Sequence, residues 1–363
     1  MTSAACREPD SEPVETGVLL LYTGSPDSPS PKHVARYLRT FLMDPHMLTM
    51  PYLPRALLVR GIIVPVRARK SAVRYQRIWT PEGSPLAVYT DRFMESLRGQ
   101  LPGYAVAAGA AYGSRAVEQA VSSLVTPALR RLVVFPLFPQ YAEATHATLR
   151  EQVDVALHVH GGSGLEVLEV RPFYESSHYI DAMRQMAAPR LEQFGADHVV
   201  FSYHGLPLRQ AHATRGPGLP DYEGQCVRTT ALLAETLQLM PGRFTQAYQS
   251  RFGRGWLGPS TETVLEELAR MVQIGSLCAL GKTAPNPVLS TMEHFMDEYR
   301  AHVIDKRCPS SVCKDLMGYY INETCRGCTK CVRVCPVDAI TGKVKEQHYI
   351  DQAICIRCGA CYE

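Results

Sequence analysis

Residues 17–26, GVLLLYTGSP, combine a short apolar run with an end that favours a turn. Comparable runs follow along the chain: YAVAAGAAY (104–112), RRLVVFPLF (130–138), LEVLEVRPF (165–173), DHVVFSYH (197–204) and FTQAYQS (244–250). Each run is short enough for a strand, and the segments between runs are long enough for helices. This alternation is typical of βαβ units, so the sequence predicts an α/β body with parallel strands over residues 15–268.

The composition excludes several classes of function. The 363 residues include 38 Lys+Arg and 35 Asp+Glu, and the net charge of +3 predicts no basic surface for nucleic acid. The apolar stretches are far shorter than the roughly 20 residues that span a bilayer. Residues 1–14 lack the apolar centre of a signal peptide. We therefore expect a disordered segment at 1–14 and a cytoplasmic protein without a transmembrane segment.

The strand pattern stops after residue 260. VLEELARMVQ (264–273) and LSTMEHFMDEYRAHVIDK (289–306) carry apolar residues at helical spacing, and a Gly- and Pro-rich stretch, LGKTAPNP (280–287), separates them. This pattern predicts a helical segment over 269–318 with a loop at 280–287. The remaining residues, 319–363, form a separate small domain.

Cysteine is concentrated near the end of the sequence, where ten of the 12 cysteines follow residue 270. Cys325, Cys328, Cys331 and Cys335 have the spacing C-x2-C-x2-C-x3-C and precede Pro336. A second C-x2-C-x2-C triple comprises Cys355, Cys358 and Cys361. This spacing is typical of 4Fe-4S ligation. A structural zinc site is the alternative, although zinc sites favour paired rather than triple cysteines.

On these motifs, residues 319–363 resemble a two-cluster ferredoxin. The resemblance implies that Cys355, Cys358 and Cys361 bind one cluster together with Cys335. Cys325, Cys328 and Cys331 then bind the other cluster, whose fourth ligand is expected four residues after Cys361, beyond Glu363. We expect this second cluster to lack a ligand, to be a three-iron or open species, or to recruit Cys308 or Cys313. The simpler interpretation of those two cysteines is free thiols near a helix end.

Residues 275–309, GSLCALGKTAPNPVLSTMEHFMDEYRAHVIDKRCP, show a second resemblance. They are similar to the C-terminal part of the flavin- and NADH-binding subunit of NADH:quinone oxidoreductases and NAD-linked hydrogenases. In that family, the cysteine matching Cys278 is the last ligand of a cluster whose other ligands form an upstream C-x2-C-x2-C triple. That triple is absent before residue 300. We therefore expect Cys278 to be an unligated thiol.

Six ordered motifs give the α/β body a resemblance to ferrochelatase. They are LLLYTGSP (19–26), GIIVPVRARKSAVRYQRIWTPEGSPL (61–86), FPQYAEAT (138–145), FSYHGLP (201–207), PDYEGQCVRTT (220–230) and YQSRFGRGWLGPSTETVLEEL (248–268). The resemblance implies two Rossmann-like halves, the second incomplete, with a porphyrin between them. It implies insertion of Fe²⁺ into protoporphyrin IX to give protohaem.

Metal insertion removes two pyrrole protons, so the site needs a proton acceptor beside the porphyrin ring. His204 follows a predicted strand, and Gly205 and Pro207 favour a turn that exposes the imidazole. By resemblance, His204 is the catalytic base and the contact for the Fe²⁺ substrate. A structural or solvated histidine is the alternative for this residue type in a loop.

The resemblance also assigns contacts to the porphyrin. Tyr22 and Ser84 line the substrate cleft, and Tyr141 contacts substrate or metal. Arg67 and Arg69, with Lys70, are candidates for the propionates, because guanidinium groups bind carboxylates well. A solvated basic face is the alternative for these three residues.

The ferrochelatase resemblance ends after residue 268. The family continues with a strand and a loop whose acidic residue faces the histidine, and no residue of this chain inherits that role. Glu262, Glu266 and Glu267 are predicted on a helix, as surface residues. The chain is therefore a composite, arising as a natural fusion, a chimera or a gene-model error. The alternative function is an iron–sulfur electron-transfer module that serves a redox partner protein and carries a non-catalytic α/β body.

Overall fold

A computed structural model describes residues 14–213, 218–250, 255–276, 278–303, 308, 313, 319–322, 324–352 and 354–362. The stretch predicted to be disordered, 1–14, lies outside these residues except for Val14. The chain divides into two compact units. Unit 1 contains residues up to Arg69, Glu82–Phe138 and Ala144–Arg171. Unit 2 contains Lys70–Pro81, Pro139–Glu143 and the chain from Pro172 onward.

Unit 1 is built on a four-stranded parallel sheet with the strand order β2-β1-β3-β4. The strands are β1 (Thr16–Gly24), β2 (Tyr104–Tyr112), β3 (Arg131–Pro136) and β4 (Glu166–Glu169). β1 pairs on both sides, with Leu19 opposite Ala107 of β2 and Val134 of β3. Because both faces of β1 are covered, its sequence is a continuous apolar run.

Six helices and two π-helical turns lie wholly or partly in this unit, and the helix Val64–Ile78 continues beyond Arg69 into unit 2. They are α1 (Pro31–Met43), α2 (Tyr52–Leu57), the π-turn Leu58–Ile63, α3 (Val64–Ile78), α4 (Pro85–Gln100), α5 (Val117–Leu124), the π-turn Glu143–Ala147 and α6 (Thr148–Val159). α1 begins with Pro31, and the Ser30 side chain caps it by accepting from the His33 N–H. In the core, Leu19 and Leu132 of the sheet pack with Val121 of α5 and Val153 of α6.

Unit 2 contains a two-stranded parallel sheet, a small antiparallel pair and seven helices among its described residues. The elements are α7 (Ser177–Phe194), β5 (Val199–His204), α8 (Leu208–Ala213), α9 (Tyr222–Thr236), β6 (Phe244–Gln249), α10 (Thr261–Gly275), α11 (Ala279–Thr283), α12 (Asn286–Val303), α13 (Lys330–Val334), β7 (Ile340–Thr341) and β8 (Tyr349–Ile350). Asp221 caps α9 by accepting from the Gly224 N–H, and Ser260 caps α10 by accepting from the Thr263 N–H.

All six predicted strands are present, and the α/β fold class is confirmed. The fourth strand is shorter than expected, since β4 ends at Glu169 and the prediction extended to residue 173. Pro172 lacks an N–H and cannot continue a strand ladder. The loop predicted at 280–287 is also partly wrong, because α11 lies there. The Lys282 N–H donates to the Cys278 carbonyl, which closes a helical turn before Pro285.

The outer edge of β6 has a partner. The Tyr248 N–H donates to the Pro259 carbonyl at 2.9 Å, and Tyr248 forms a parallel bridge with Ser260. This contact covers part of the edge of β6 that does not face β5. None of the described helices is long and apolar enough to cross a membrane.

Candidate active site and iron–sulfur centre

His204 is the last residue of β5, at the carboxyl end of the small parallel sheet. The turn after it is fixed by backbone hydrogen bonds, because the Gly205 N–H donates to the Gln249 carbonyl at 2.7 Å. Leu208 and Leu257 add hydrogen bonds of 2.8 and 2.9 Å between this turn and the segment 255–257. Ligands bind at the carboxyl ends of strands in open α/β sheets, so His204 has the expected place for a site residue.

The imidazole of His204 is solvent-exposed but surrounded by enough protein to be partly desolvated. Desolvation penalises the charged form and lowers the pKa of His204 below its usual range. The side chain is therefore neutral at pH 7. A neutral imidazole can accept a proton from a bound ligand.

Helix α9 contacts the backbone of His204 through its first residue. The Tyr222 hydroxyl donates to the His204 carbonyl at 3.1 Å. Tyr222 belongs to a buried cluster with Cys226, Tyr248 and Leu257. Burial raises the pKa of the Tyr222 hydroxyl, so this group remains protonated and acts as a donor.

The same helix holds Tyr141. The Gln225 side chain accepts from the Tyr141 N–H at 2.7 Å and donates to the Pro220 carbonyl at 2.9 Å. The preceding residue, Gln140, donates to the Thr229 hydroxyl at 3.1 Å. His204 and Tyr141 are thus brought to one helix within unit 2.

In unit 1, Tyr22 lies near the end of β1 and is buried. Its hydroxyl hydrogen-bonds to Arg115, which also pairs with Asp91 of α4. Burial raises the pKa of the Tyr22 hydroxyl, and the Arg115 guanidinium opposes that shift. Ser84 is buried and stands directly before α4, the helix that carries Asp91.

The three basic candidates lie on α3, and Arg67, Arg69 and Lys70 are all exposed. The acidic candidates lie on α10, as predicted. Glu262 and Glu266 are partly exposed and Glu267 is exposed. The start of α10 lies against β5, where the Thr261 hydroxyl is 2.8 Å from the Ser202 hydroxyl. Ser202 and His204 are two residues apart and share one face of the strand.

Four cysteines of the tail surround one small cavity. The lining of this cavity includes Cys335, Cys355, Cys358 and Cys361. Backbone N–H groups point at two of the sulfur atoms, from Ala339 to Cys335 Sγ at 3.2 Å and from Arg357 to Cys355 Sγ at 3.4 Å. The donor set and the N–H···S contacts fit a 4Fe-4S cluster.

The other three tail cysteines also lie close together. The Cys331 thiol interacts electrostatically with Cys325 and Cys328. Cys325 Sγ accepts from the Gly327 N–H at 3.4 Å and is 3.9 Å from Nδ1 of the buried His348. These groups fit a second cluster.

Cys308 and Cys313 lie close to a histidine, His302, that was not expected near them. Their sulfur atoms and a ring nitrogen of His302 lie within 4.8 Å of one another. His302 Nδ1 donates to the Glu298 carbonyl at 2.7 Å, and Nε2 is 3.5 Å from Cys313 Sγ. Two thiols and an imidazole are a donor set suited to zinc. Both cysteines are free thiols near the end of α12, and metal binding by this group stays a prediction. Cys278, in contrast, is exposed.

Five residues that contact the groups described above were not predicted from the sequence: Asp91, Arg115, Tyr222, Gln225 and His302. Tyr222 and Gln225 stand in the quoted motif PDYEGQC, so the motif pointed to them without revealing their contacts. Asp91, Arg115 and His302 lie outside any motif with a chemical spacing. Only the fold brings them to their partners.

Comparison with known proteins gives two family matches in separate parts of the chain. The ferrochelatase family model matches residues 15–278. A model of the 4Fe-4S dicluster domain matches residues 317–363. The second match agrees with the cysteine arrangement of the tail.

Several curated ferrochelatases are similar to the chain. The ferrochelatase of Coxiella burnetii is 38% identical over 298 residues, covering 77% of this chain and 82% of that protein. Those of Pseudomonas aeruginosa and Bdellovibrio bacteriovorus are each 36% identical over 274 residues, covering 70% of this chain and 80% of the relative. The strand order and the position of His204 agree with these matches, which show that the chain belongs to the ferrochelatase family and carries an additional 4Fe-4S dicluster domain.

Proposed function

We propose that this ferrochelatase-family chain inserts Fe²⁺ into protoporphyrin IX, with His204 as the catalytic base. The observation that carries the proposal is the place and state of His204. It stands at the carboxyl end of β5, accessible to a ligand, with its pKa lowered by desolvation. In this proposal the neutral imidazole contacts the incoming Fe²⁺ and accepts one of the two pyrrole protons that the metal displaces, and the second proton leaves to water.

The other candidate residues bind and orient the porphyrin in this proposal. Tyr22, Ser84 and Tyr141 contact the ring, which is flat and apolar, so most of the affinity comes from buried ring area. Arg67 and Arg69, with Lys70, bind the propionates, and their exposure on α3 leaves them accessible to charged groups.

The acidic partner of the base has no inherited position in this chain. Glu262 is the carboxylate to test for this role, since it follows Thr261, which contacts the face of β5 that carries His204. A positioned acid–base group contributes about 10²–10⁴-fold to a rate. We therefore expect this chain to be slower than a full-length relative that has the acidic residue of the ferrochelatase family.

The test is an anaerobic insertion assay with Fe²⁺ and protoporphyrin, combined with porphyrin fluorescence titration. His204→Ala should lower kcat by about 10²–10⁴-fold and leave the porphyrin affinity similar. The matched control is His178→Ala, which alters an exposed histidine of α7 and should change neither quantity. An unchanged kcat in His204→Ala contradicts the proposal, and a large loss of affinity would make His204 a binding residue. A rate equal to that of the relative, lost in Glu262→Gln, would assign the acidic role to Glu262.

We propose further that the tail binds two clusters of unequal stability. Cys335, Cys355, Cys358 and Cys361 supply four thiolates to one, and their shared cavity supports this assignment. Cys325, Cys328 and Cys331 supply three to the other. Such clusters transfer single electrons when bound, which implies a redox partner protein. Anaerobic reconstitution followed by EPR should show one robust cubane signal and a labile or three-iron species. Two equally stable cubanes would contradict this proposal.

The domain organisation is also a proposal. We divide the chain into a disordered start (1–14), the ferrochelatase-like body (15–268), a helical segment (269–318) and the ferredoxin-like domain (319–363). Helices α11 and α12 support a helical character for the third part.

We propose that the helical segment 269–318 derives from an NADH-oxidising subunit. We propose also that the protein works in the cytoplasm, where thiols stay reduced. If the alternative function is correct, a reduced, iron-loaded sample changes the oxidation state of its clusters and forms no haem from protoporphyrin.

A further inference from the structure

The first turn of α9 contacts both site residues of unit 2. The Tyr222 hydroxyl donates to the His204 carbonyl at 3.1 Å, and the Gln225 side chain accepts from the Tyr141 N–H at 2.7 Å. Residues three apart lie on the same face of a helix. One helical turn therefore contacts the backbone of the base and the backbone of a substrate residue.

This turn is itself firmly held. Gln225 has no exposed surface, and its amide nitrogen donates to the Pro220 carbonyl at 2.9 Å, so both ends of the amide are used. The Asp221 carboxylate accepts from the Gly224 N–H at 2.9 Å and caps the helix. Tyr222 is packed with Cys226, Tyr248 and Leu257. A buried, fully hydrogen-bonded turn of this kind has little freedom to move.

We propose that Tyr222 and Gln225 are positioning residues that set the separation of His204 from Tyr141. This inference rests on the proposed metal insertion, in which His204 accepts pyrrole protons and Tyr141 contacts the porphyrin. A base must lie within hydrogen-bond reach of the proton that it removes. The separation of the two residues therefore determines whether a porphyrin bound at Tyr141 presents its nitrogens to His204.

The test compares three variants of the full chain by kcat, by porphyrin KM and affinity, and by the NMR signals of the labelled His204 ring. Tyr222→Phe removes one hydroxyl and should lower kcat about fivefold, the effect of one lost hydrogen bond, with unchanged porphyrin affinity. Gln225→Met removes both amide contacts at similar volume and should raise the porphyrin KM at least about fivefold. Thr236→Val is the matched control, because it removes a hydroxyl bond to the Leu232 carbonyl at the far end of the same helix.

The pattern of results decides the proposal. We expect Tyr222→Phe to shift the His204 ring signal, which His204→Ala identifies by its disappearance, and Thr236→Val to leave the ring signal and both kinetic constants unchanged. If Tyr222→Phe and Thr236→Val lower kcat alike, α9 is only a scaffold and the proposal is wrong. If the unaltered chain inserts no metal, the proposed function fails. The His204 signal still tests the positioning role, which is overturned if Tyr222→Phe leaves it unmoved.

Discussion

The sheet of unit 1 and the iron–sulfur domain are stabilised in different ways. Leu19, Leu20 and Leu21 of β1 have no exposed surface, and strands pair with β1 on both sides. Among the described residues of 319–362, the buried apolar side chains are Ala339 and Ile340, while Ile354, Ile356 and Tyr362 are exposed. We therefore expect burial of apolar surface to hold the first region. We expect the second to depend on ligation of its cysteines, as small domains without a core commonly do.

The largest expected effect is unfolding of the domain 319–363 when one of its proposed cluster ligands is removed. Cys358→Ser takes one thiolate from the proposed set of four, and we expect the domain 319–363 to unfold because metal binding supplies much of the folding free energy of such a domain. Absorbance at the cluster bands and limited proteolysis measure this change. Cys278→Ser, an exposed cysteine outside both cluster sets, is the control and should leave cluster content unchanged. A tail that stays protease-resistant without its cluster would show that packing alone holds it.

The second prediction concerns a substitution in the core of the body, outside the tail. Leu20→Ala creates a cavity beside Val106 in the cluster around β1 and should lower the free energy of unfolding of the body by about 2–5 kcal/mol. Urea unfolding followed by circular dichroism measures the loss, and cluster absorbance in water should not change. If the variant loses its cluster while the body remains folded, the two regions do not have separate sources of stability.

Acid should affect the body through His146. This histidine is buried in unit 1, and desolvation lowers its pKa from 6.5 to about 4. The unfolded chain therefore binds a proton below pH 6.5 that the folded chain does not bind until about pH 4. Stability from this group is complete above pH 6.5 and is lost as the pH falls towards 4, by on the order of 3 kcal/mol. In His146→Gln this slope between pH 6.5 and 4 should be absent, and an unchanged slope would show that other groups cause it.

The smallest expected effect concerns a contact between α3 and the tail within unit 2. The Arg77 guanidinium stands 5.8 Å from the ring centre of Tyr320, and Tyr320 interacts electrostatically with Cys355, one of the proposed cluster ligands. Arg77→Met should lower the stability of the tail by about 0.5–1 kcal/mol, measured as a shift of the urea midpoint of cluster loss. Arg92→Met removes a matched contact with Tyr89, also 5.8 Å, and should leave that midpoint unchanged. Equal midpoint shifts in the two variants would remove any special role for Arg77.

Much of the fold was predictable because its signals are local. The apolar run at 17–22 predicted β1, and the run at 197–204 predicted the strand that ends at His204. The resemblance to a two-cluster ferredoxin implied which four cysteines lie together, including Cys335, which is 20 residues from Cys355, and these four line one cavity. Helix α11 was missed because LGKTAPNP contains one Gly and two Pro, whereas its single turn is closed by the Cys278 and Leu280 carbonyls.

By itself, the sequence determined the order of strands and helices, the position of His204 after a strand and the two cysteine triples. These features depend on apolar periodicity, turn-forming residues and ligand spacing, which act over a few residues. Only the tertiary structure placed Tyr222 and Gln225 against His204 and Tyr141, and His302 beside Cys308 and Cys313. Those contacts lie at helix ends, at the start of α9 and at the end of α12. Their partners depend on how distant elements pack, and no local pattern records that.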